Sequence, residues 1–299
     1  MRLPVSVLRV GMLCIGVMFA YLAGCHGPAK TRIVIGSKNF TEQIVLAELL
    51  AQHIEHRTGM HVERKVNLGG TLVCHKALLA GDLDLYVEYT GTALTAVLGE
   101  PPANHSAEVY QRVKAAYAKR FNLDVTEPLG FNNTFAMVVR GEDARNHHLH
   151  VISDVAGLAK QWRVAVGYEF LERPDGFRGW ANTYQLQFAE KPRVMDLGLL
   201  YRALKERQVD IVAGNSTDGL IDALGLVILE DDRHYFPPYD AVPIVRQETL
   251  GRVPQLRAAL SELGDHISAA DIRKINFAVD GEHRDAGEVV REFRRAKGL

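Results

Sequence analysis

The densest group of side chains able to hold a ligand ends a short apolar run. Leu83, Leu85 and Val87 alternate with Asp84, Tyr86 and Glu88, and Tyr89-Thr90-Gly91-Thr92 follows. An aromatic face and two hydroxyls thus arrive at one point, which reads as one wall of a small-molecule cleft. Other groups have less to offer. Asp82 and Asp84 form a conceivable acid/base pair, but at a strand entry they are better explained as caps and solvated charges. His53 and His56 lie three apart on an expected helix, and His147, His148 and His150 crowd a polar loop. Such spacing can bind zinc, yet no cysteine stands near, so no metal site is assigned. There is no G-x-S-x-G elbow, no H-E-x-x-H and no phosphate loop. The expectation is a binding protein without cofactor or metal rather than an enzyme.

The elements that must position this loop are legible around it. Period-two alternation marks Leu83 to Glu88 as a strand, and open α/β sheets bind ligands beyond their strand ends. Just upstream, Gly69-Gly70 permits close backbone approach, and Thr71 to Ala80 reads as a helix stopped by Gly81. Earlier still, RIVIG from Arg32 is a strand, Ser37-Lys38-Asn39 a loop, and Asn39 with Glu42 an N-cap and its acidic partner. Apolar residues from Ile44 to Ile54 recur at helical spacing up to Gly59, and His61 to Val66 alternates as a strand. A helix over Ala107–Phe121 and a strand over Leu123–Thr126 follow. The segment from Ser153 to about Glu230 repeats the alternation: helices near Asp154–Ala159, Gly176–Phe188, Leu197–Arg207 and Thr217–Leu224, strands Arg163–Gly167, Val209–Ala213 and Leu226–Leu229. Thr134 to Arg140 and Ala241 to Arg246 read as strands crossing between two lobes, and Arg252 to Leu299 as an amphipathic helical tail. This is an α/β pattern with mostly parallel sheets. Residues 26–134 and 241–299 form one discontinuous lobe, residues 135–240 the other, and a cleft between hinged lobes is a natural ligand site.

Composition agrees with this reading. A chain of 299 residues has room for two cores, and 47% hydrophobic with 24% charged residues is ordinary for a globular protein. The formal net charge of −1 gives no pull toward nucleic acid. Arg2 and Arg9 precede an uncharged run from Val10 to Gly24, too short for the ~20 residues a spanning helix needs and typical of an export signal. The run ends in Leu22-Ala23-Gly24-Cys25, which resembles the bacterial lipoprotein cleavage box. That resemblance implies a signal peptide over residues 1–25, cleavage before Cys25 and a lipid anchor on its sulfur. With Cys14 removed and Cys25 lipidated, Cys74 stands alone, so no internal disulfide forms, and it reads as a small buried hydrophobe.

Five segments in order, IVIGSKNFTEQ, NLGGTLVCHKALLAGDLDLYVEYTGTAL, FLERPDGF, STDGLI and LEDDRHYFPPYDAVPIVR, resemble the osmoprotectant substrate-binding proteins of ABC importers. These take glycine betaine, choline, carnitine and similar quaternary-ammonium solutes, and a close branch takes ergothioneine. The resemblance extends over nearly all of Arg32 to Leu299. It implies the type II periplasmic-binding-protein fold, a location outside the cytoplasm on the membrane, and a permease with its ATPase as partners. By the same resemblance the ligand-binding residues are Tyr89 and Thr92, the basic Lys38, Phe135 where the family often has tyrosine, the carboxylate-binding Arg173, and the aromatic Tyr239. Asn215 stands where quaternary-ammonium binders commonly place a tyrosine.

The physics of such a site is simple. A trimethylammonium group has no N–H to donate, so aromatic faces must hold it, at about 0.5–2 kcal/mol per ring. Several rings and a cation on the solute's carboxylate can reach the roughly −8 kcal/mol of micromolar binding. Asn215 costs one ring and adds a donor and an acceptor that this head cannot use. The expectation is a solute more polar than glycine betaine (ergothioneine-like or amino-acid-like), or weak betaine binding. A lipoprotein that senses a ligand instead of importing it is a further alternative.

Overall fold

Apolar strands buried on both faces and helices laid over them sort the chain into two five-stranded sheets. The computed structural model describes residues 32–299; the expected signal segment, Cys14 and Cys25 lie outside them. In chain order the first part runs β1 (Ile33–Gly36), α1 (Thr41–Thr58), β2 (Val62–Lys65), α2 (Thr71–Ala80), β3 (Leu85–Tyr89), α3 (Ser106–Phe121) and β4 (Leu123–Val125). The second part runs β5 (Phe135–Arg140), β6 (Val164–Val166), α4 (Tyr168–Glu172), α5 (Phe177–Thr183), β7 (Arg193–Val194), α6 (Leu197–Lys205), β8 (Ile211–Asn215) and β9 (Leu226–Leu229). The chain then returns through β10 (Ala241–Arg246) to α7 (Gln247–Arg252), α8 (Gln255–Ser261), α9 (Ala269–Asp280) and α10 (Ala286–Lys297). Among the described residues no helix is long and apolar enough to cross a membrane.

The first sheet has the order β2-β1-β3-β10-β4 and the second β7-β6-β8-β5-β9. Parallel pairs β1–β2, β1–β3, β6–β7 and β6–β8 are joined by helical crossovers, while β10 lies antiparallel to β3 and β4, and β5 to β8 and β9. α8, α9 and α10 pack on α1, which returns the C-terminal helices to the first lobe. The register fixes the site: Phe135 pairs with Asn215, and Tyr89 pairs with Ala241. Each pairing sets a strand end of its sheet toward the space between the lobes.

Several expectations change. β5 and β10 do not themselves span the lobes; each lies wholly in one sheet. The crossing is made just before each strand, where Asn132 bridges Asp240, the Asn133 N–H donates to the Tyr239 carbonyl at 3.0 Å and the Ala241 N–H to the Phe131 carbonyl at 3.1 Å. Asn39 does not cap α1: the helix starts after Phe40 with no side-chain cap, and Glu42 turns inward. The stretch after Tyr89 is not an open loop but a helical turn, Thr90–Thr92, that widens into a π-helical turn over Ala93–Val97. Asp84 is not solvated. Buried under β1, it accepts from the Val34 N–H, the Thr249 hydroxyl and Arg252. Period alone cannot distinguish a charge facing water from one paired with a residue 168 positions away. The helix expected at Asp154–Ala159 is instead two 3-10 turns, Ile152–Gly157 and Ala159–Gln161, and the one expected at Thr217–Leu224 shrinks to a single turn over Leu220–Ala223. Tyr86 points into the core of the first lobe while Tyr89 faces the cleft, as alternation requires.

Candidate solute-binding cleft

All seven residues marked in the sequence line one cavity of about 150 Å³: Lys38, Tyr89, Thr92, Phe135, Arg173, Asn215 and Tyr239. They come from both lobes and from the crossing segment. The sequence did not single out Phe40, Asn133, Tyr168, Glu169, Phe170 and Asp196, which line it too. The signal for Phe40 was available, since it follows Lys38-Asn39 directly. Glu169 had none, because its partner lies 98 residues away.

Two buried cations organise the walls, and both already have anions. In the first lobe the Lys38 ammonium donates to Glu88 Oε1 at 2.5 Å and to Thr71 Oγ1 at 3.2 Å. Its side chain is only 2% exposed and that of Glu88 is fully buried. The same ammonium sits 4.7 Å from the Tyr89 ring centre and 5.9 Å from that of Phe40. In the second lobe Arg173 grips Asp175 with two N–H groups, Nε to Oδ1 at 2.8 Å and Nη2 to Oδ2 at 2.5 Å. Its guanidinium lies 5.0 Å from the Phe135 ring centre and 5.7 Å from that of Tyr239. Nη1 reaches into the first lobe to Thr92 Oγ1 at 2.9 Å. The Tyr239 hydroxyl, on the crossing segment, donates to Asp175 Oδ2 at 2.6 Å.

This changes the expected cage. Lys38 and Arg173 are not free clamps: each takes part of the ring surface that an arriving cation would use, an attraction the two fixed cations already enjoy. The rings of the cavity are backed by internal ion pairs, with Phe135 held edge-to-face by Phe170 at 4.7 Å and by Tyr239 at 5.6 Å. Bidentate geometry and burial give the second pair its strength. Burial pushes the Asp175 carboxyl up, but the bonds and charge of Arg173 and the Tyr239 hydroxyl outweigh it, and the group is held below the usual carboxylate range. Desolvation and the neighbouring Asp175 push the Tyr239 hydroxyl well above its ordinary value, so it stays a donor.

Tyr89 is fixed from behind. Its hydroxyl donates to Glu42 Oε1 at 2.6 Å, and Glu42 also accepts from Asn133 Nδ2 at 2.8 Å, Asn276 Nδ2 at 3.1 Å and the Thr217 hydroxyl. These donors come from β3, the crossing segment, α9 and the second lobe. Burial without a cation raises the carboxyl, although the four bonds pull the other way. Tyr239 rests against Gly91, where a Cβ would lie 2.7 Å from the Pro238 carbonyl oxygen and 2.8 Å from the Tyr239 ring. Only glycine fits there.

Asn215 sits at the end of β8 and borders a second, neighbouring hollow of about 230 Å³ lined in part by Tyr201, Asp218 and Asp280. Its N–H donates to Asp218 Oδ2 at 3.1 Å. Desolvation chiefly, and the charge of Glu42 in a smaller part, push Asp218 up to about 7 against the pull of its Tyr201 and Asn215 bonds. Among the described residues no group of three or more His, Cys, Asp or Glu could hold a metal ion. Cys74 is buried, and burial pushes its thiol up to about 12.

Rings, paired charges and hydrogen-bond donors around one hollow are the makings of a binding site for a small solute. Comparison with known proteins leads to the same conclusion. The family described as the substrate-binding domain of ABC-type glycine betaine transport systems matches residues 31–296. The chain belongs to that family. It is therefore an extracytoplasmic substrate-binding protein, not an enzyme, and it works with ABC permease and ATPase components. Similar members include the carnitine transport binding protein OpuCC of Listeria monocytogenes, 35% identical over 91% of this chain and 89% of that one. The ergothioneine transport permease/ergothioneine binding protein EgtU of Helicobacter pylori is 31% identical over 89% of this chain and 48% of that one. A solved structure of a glycine betaine/carnitine/choline ABC transporter, 31% identical, superposes with a TM-score of 0.75 over 88% of this chain and 98% of its own. The two-lobed type II fold of this substrate-binding protein follows from that likeness.

Proposed function

We propose that this protein closes its two lobes, residues 26–134 with 241–299 and residues 135–240, over a small solute with a quaternary-ammonium head and an anionic end, of the glycine betaine and carnitine kind, and delivers it to an ABC importer. Lys38, Tyr89, Thr92, Phe135, Arg173, Asn215 and Tyr239 are the ligand-contacting residues. The observation that carries this is one hollow in which aromatic rings from both lobes stand beside two buried cations, of which Arg173 spends three of its five N–H groups on Asp175 and Thr92. A head without N–H groups is held by ring faces, and an anionic end is held by Arg173. Membership of the family and the carnitine-binding relative support the same class.

A second reading has its own observation. Asn215, an amide where a ring would complete a betaine cage, lines the cavity, and an ergothioneine-binding relative is 31% identical. A solute with hydrogen-bonding groups beside its cationic head would use that amide. Thermal shift of the purified protein with glycine betaine, choline, carnitine, proline betaine, ergothioneine, amino acids and zinc tests both. A ligand at a hundred times its Kd adds about 2.7 kcal/mol. A shift with carnitine or glycine betaine supports the first reading, a shift with ergothioneine or an amino acid but no betaine supports the second, and a shift only with zinc overturns both.

We also propose attachment to the membrane through lipid on Cys25. The pattern Leu22-Ala23-Gly24-Cys25 supports it. Cys25→Ser should move the protein from the membrane fraction to the soluble one, and mass spectrometry of the wild type should find the acyl chains.

A further inference from the structure

The ion pairs leave an unbalanced charge inside the cleft. Lys38 is matched by Glu88 and Arg173 by Asp175, so the charges of the two wall cations are balanced. Glu169 and Asp196 also line the cavity, and among the described residues neither makes an ion pair; of the two Asp196 is exposed and Glu169 half-buried. Glu169 Oε1 accepts the Thr71 N–H at 2.6 Å, while no hydrogen bond of the described residues uses its Oε2. A cationic head placed near Lys38 or Arg173 meets a like charge; placed near Glu169 it meets a half-buried carboxylate that no ion pair engages, whereas Asp196, also unpaired at the rim, is exposed to solvent.

Glu169 is also a strut between the lobes. It belongs to α4 in the second lobe, and Thr71 is the first residue of α2 in the first lobe. The bond satisfies an N–H that the start of α2 leaves without a helical partner. Gly70 makes room for it, since a Cβ there would collide with the Glu169 carboxylate. Thr71 meanwhile receives the Lys38 ammonium on its hydroxyl, so one residue couples the strut to the first ion pair.

We infer that Glu169 is the counter-charge that selects a cationic head, and that the same carboxylate, by its bond to Thr71, makes that selection part of closing the cleft. Glu169 is a specificity-determining residue. The inference rests on the quaternary-ammonium reading above, and the experiment separates the two.

Isothermal titration of the full-length protein would compare glycine betaine with 3,3-dimethylbutanoate, which has carbon in place of the quaternary nitrogen, and carnitine with 3-hydroxy-5,5-dimethylhexanoate. Glu169→Gln keeps an oxygen for the Thr71 N–H and removes only the charge. Wild type should prefer each quaternary solute to its carbon isostere, and in E169Q that preference should fall by about tenfold or more, with isostere binding little changed. A preference left intact in E169Q, or equal losses for both partners of a pair, overturns the inference while the proposed function stands. Wild-type protein that binds none of the four overturns both. Should E169Q melt as an unfolded protein, Glu169→Asp carries the test: it retains the charge one methylene farther back, so a partial loss of preference is expected and an unchanged preference overturns the inference.

Discussion

The two buried ion pairs of the cleft look alike and are built differently. Lys38–Glu88 is contained in one lobe: its ammonium, its carboxylate and the Thr71 hydroxyl all belong to the first sheet and its helices. Arg173–Asp175 is shared. The pair sits in the second lobe, but Thr92 reaches it from the first and Tyr239 from the crossing segment. The first pair is therefore part of a folded core and the second is completed by bringing the lobes together. A buried charge deprived of its partner costs more than the pair contributes, so damage to the first should appear as lost stability, and damage to the second as lost solute affinity.

Lys38→Met tests this most severely. It leaves Glu88 buried and uncompensated and should remove about 3–5 kcal/mol of unfolding free energy in urea; a loss near zero would break the contrast. Arg173→Lys keeps the charge but loses the planar fork, and solute affinity should fall by about 30-fold, equivalent to about 2 kcal/mol, in calorimetric titration. Thr92→Val removes only the contact from the other lobe. Affinity should drop by about three- to tenfold, the worth of one hydrogen bond, with the melting temperature of the solute-free protein nearly unchanged.

The smallest effect compares two carboxyls of the second lobe. Asp175 beside Arg173 is held low, whereas Asp218, with no cation against it, is raised to about 7. A carboxyl raised in the folded state stabilises the protein fully below its unfolded value and loses that contribution as pH rises through its folded value. Melting temperature should therefore decline between about pH 4 and pH 7 by this contribution, and Asp218→Asn should flatten that part of the profile.

Much of this was readable in the sequence because it depends on local period and strand ends. The strand through Tyr89, the helix stopped at Gly81, the burial of Cys74 and the α/β alternation are short-range properties, and each appears in the fold. The seven marked residues converge because the chain-order motifs fall at loop ends of both sheets. What the sequence did not reveal is pairing. Glu88 lies 50 residues from Lys38, Glu42 is 175 from Thr217, and Glu169 is 98 from Thr71. No periodicity relates them, and burial turns charges that look solvated into fixed partners. Asp175 was the exception, two residues after Arg173 in Arg-Pro-Asp, and its proximity was there to be used.

The wall at Gly91 has a consequence for how this scaffold can change its preferences. A side chain at that position would strike the Tyr239 ring and the Pro238 carbonyl together, so the ring's support admits no variation. Drift toward a new cargo must come from the opposite bank, where Asn215 and Phe135 pair across two strands and border open space. Directed evolution for another solute would concentrate its successful changes there and leave residue 91 untouched.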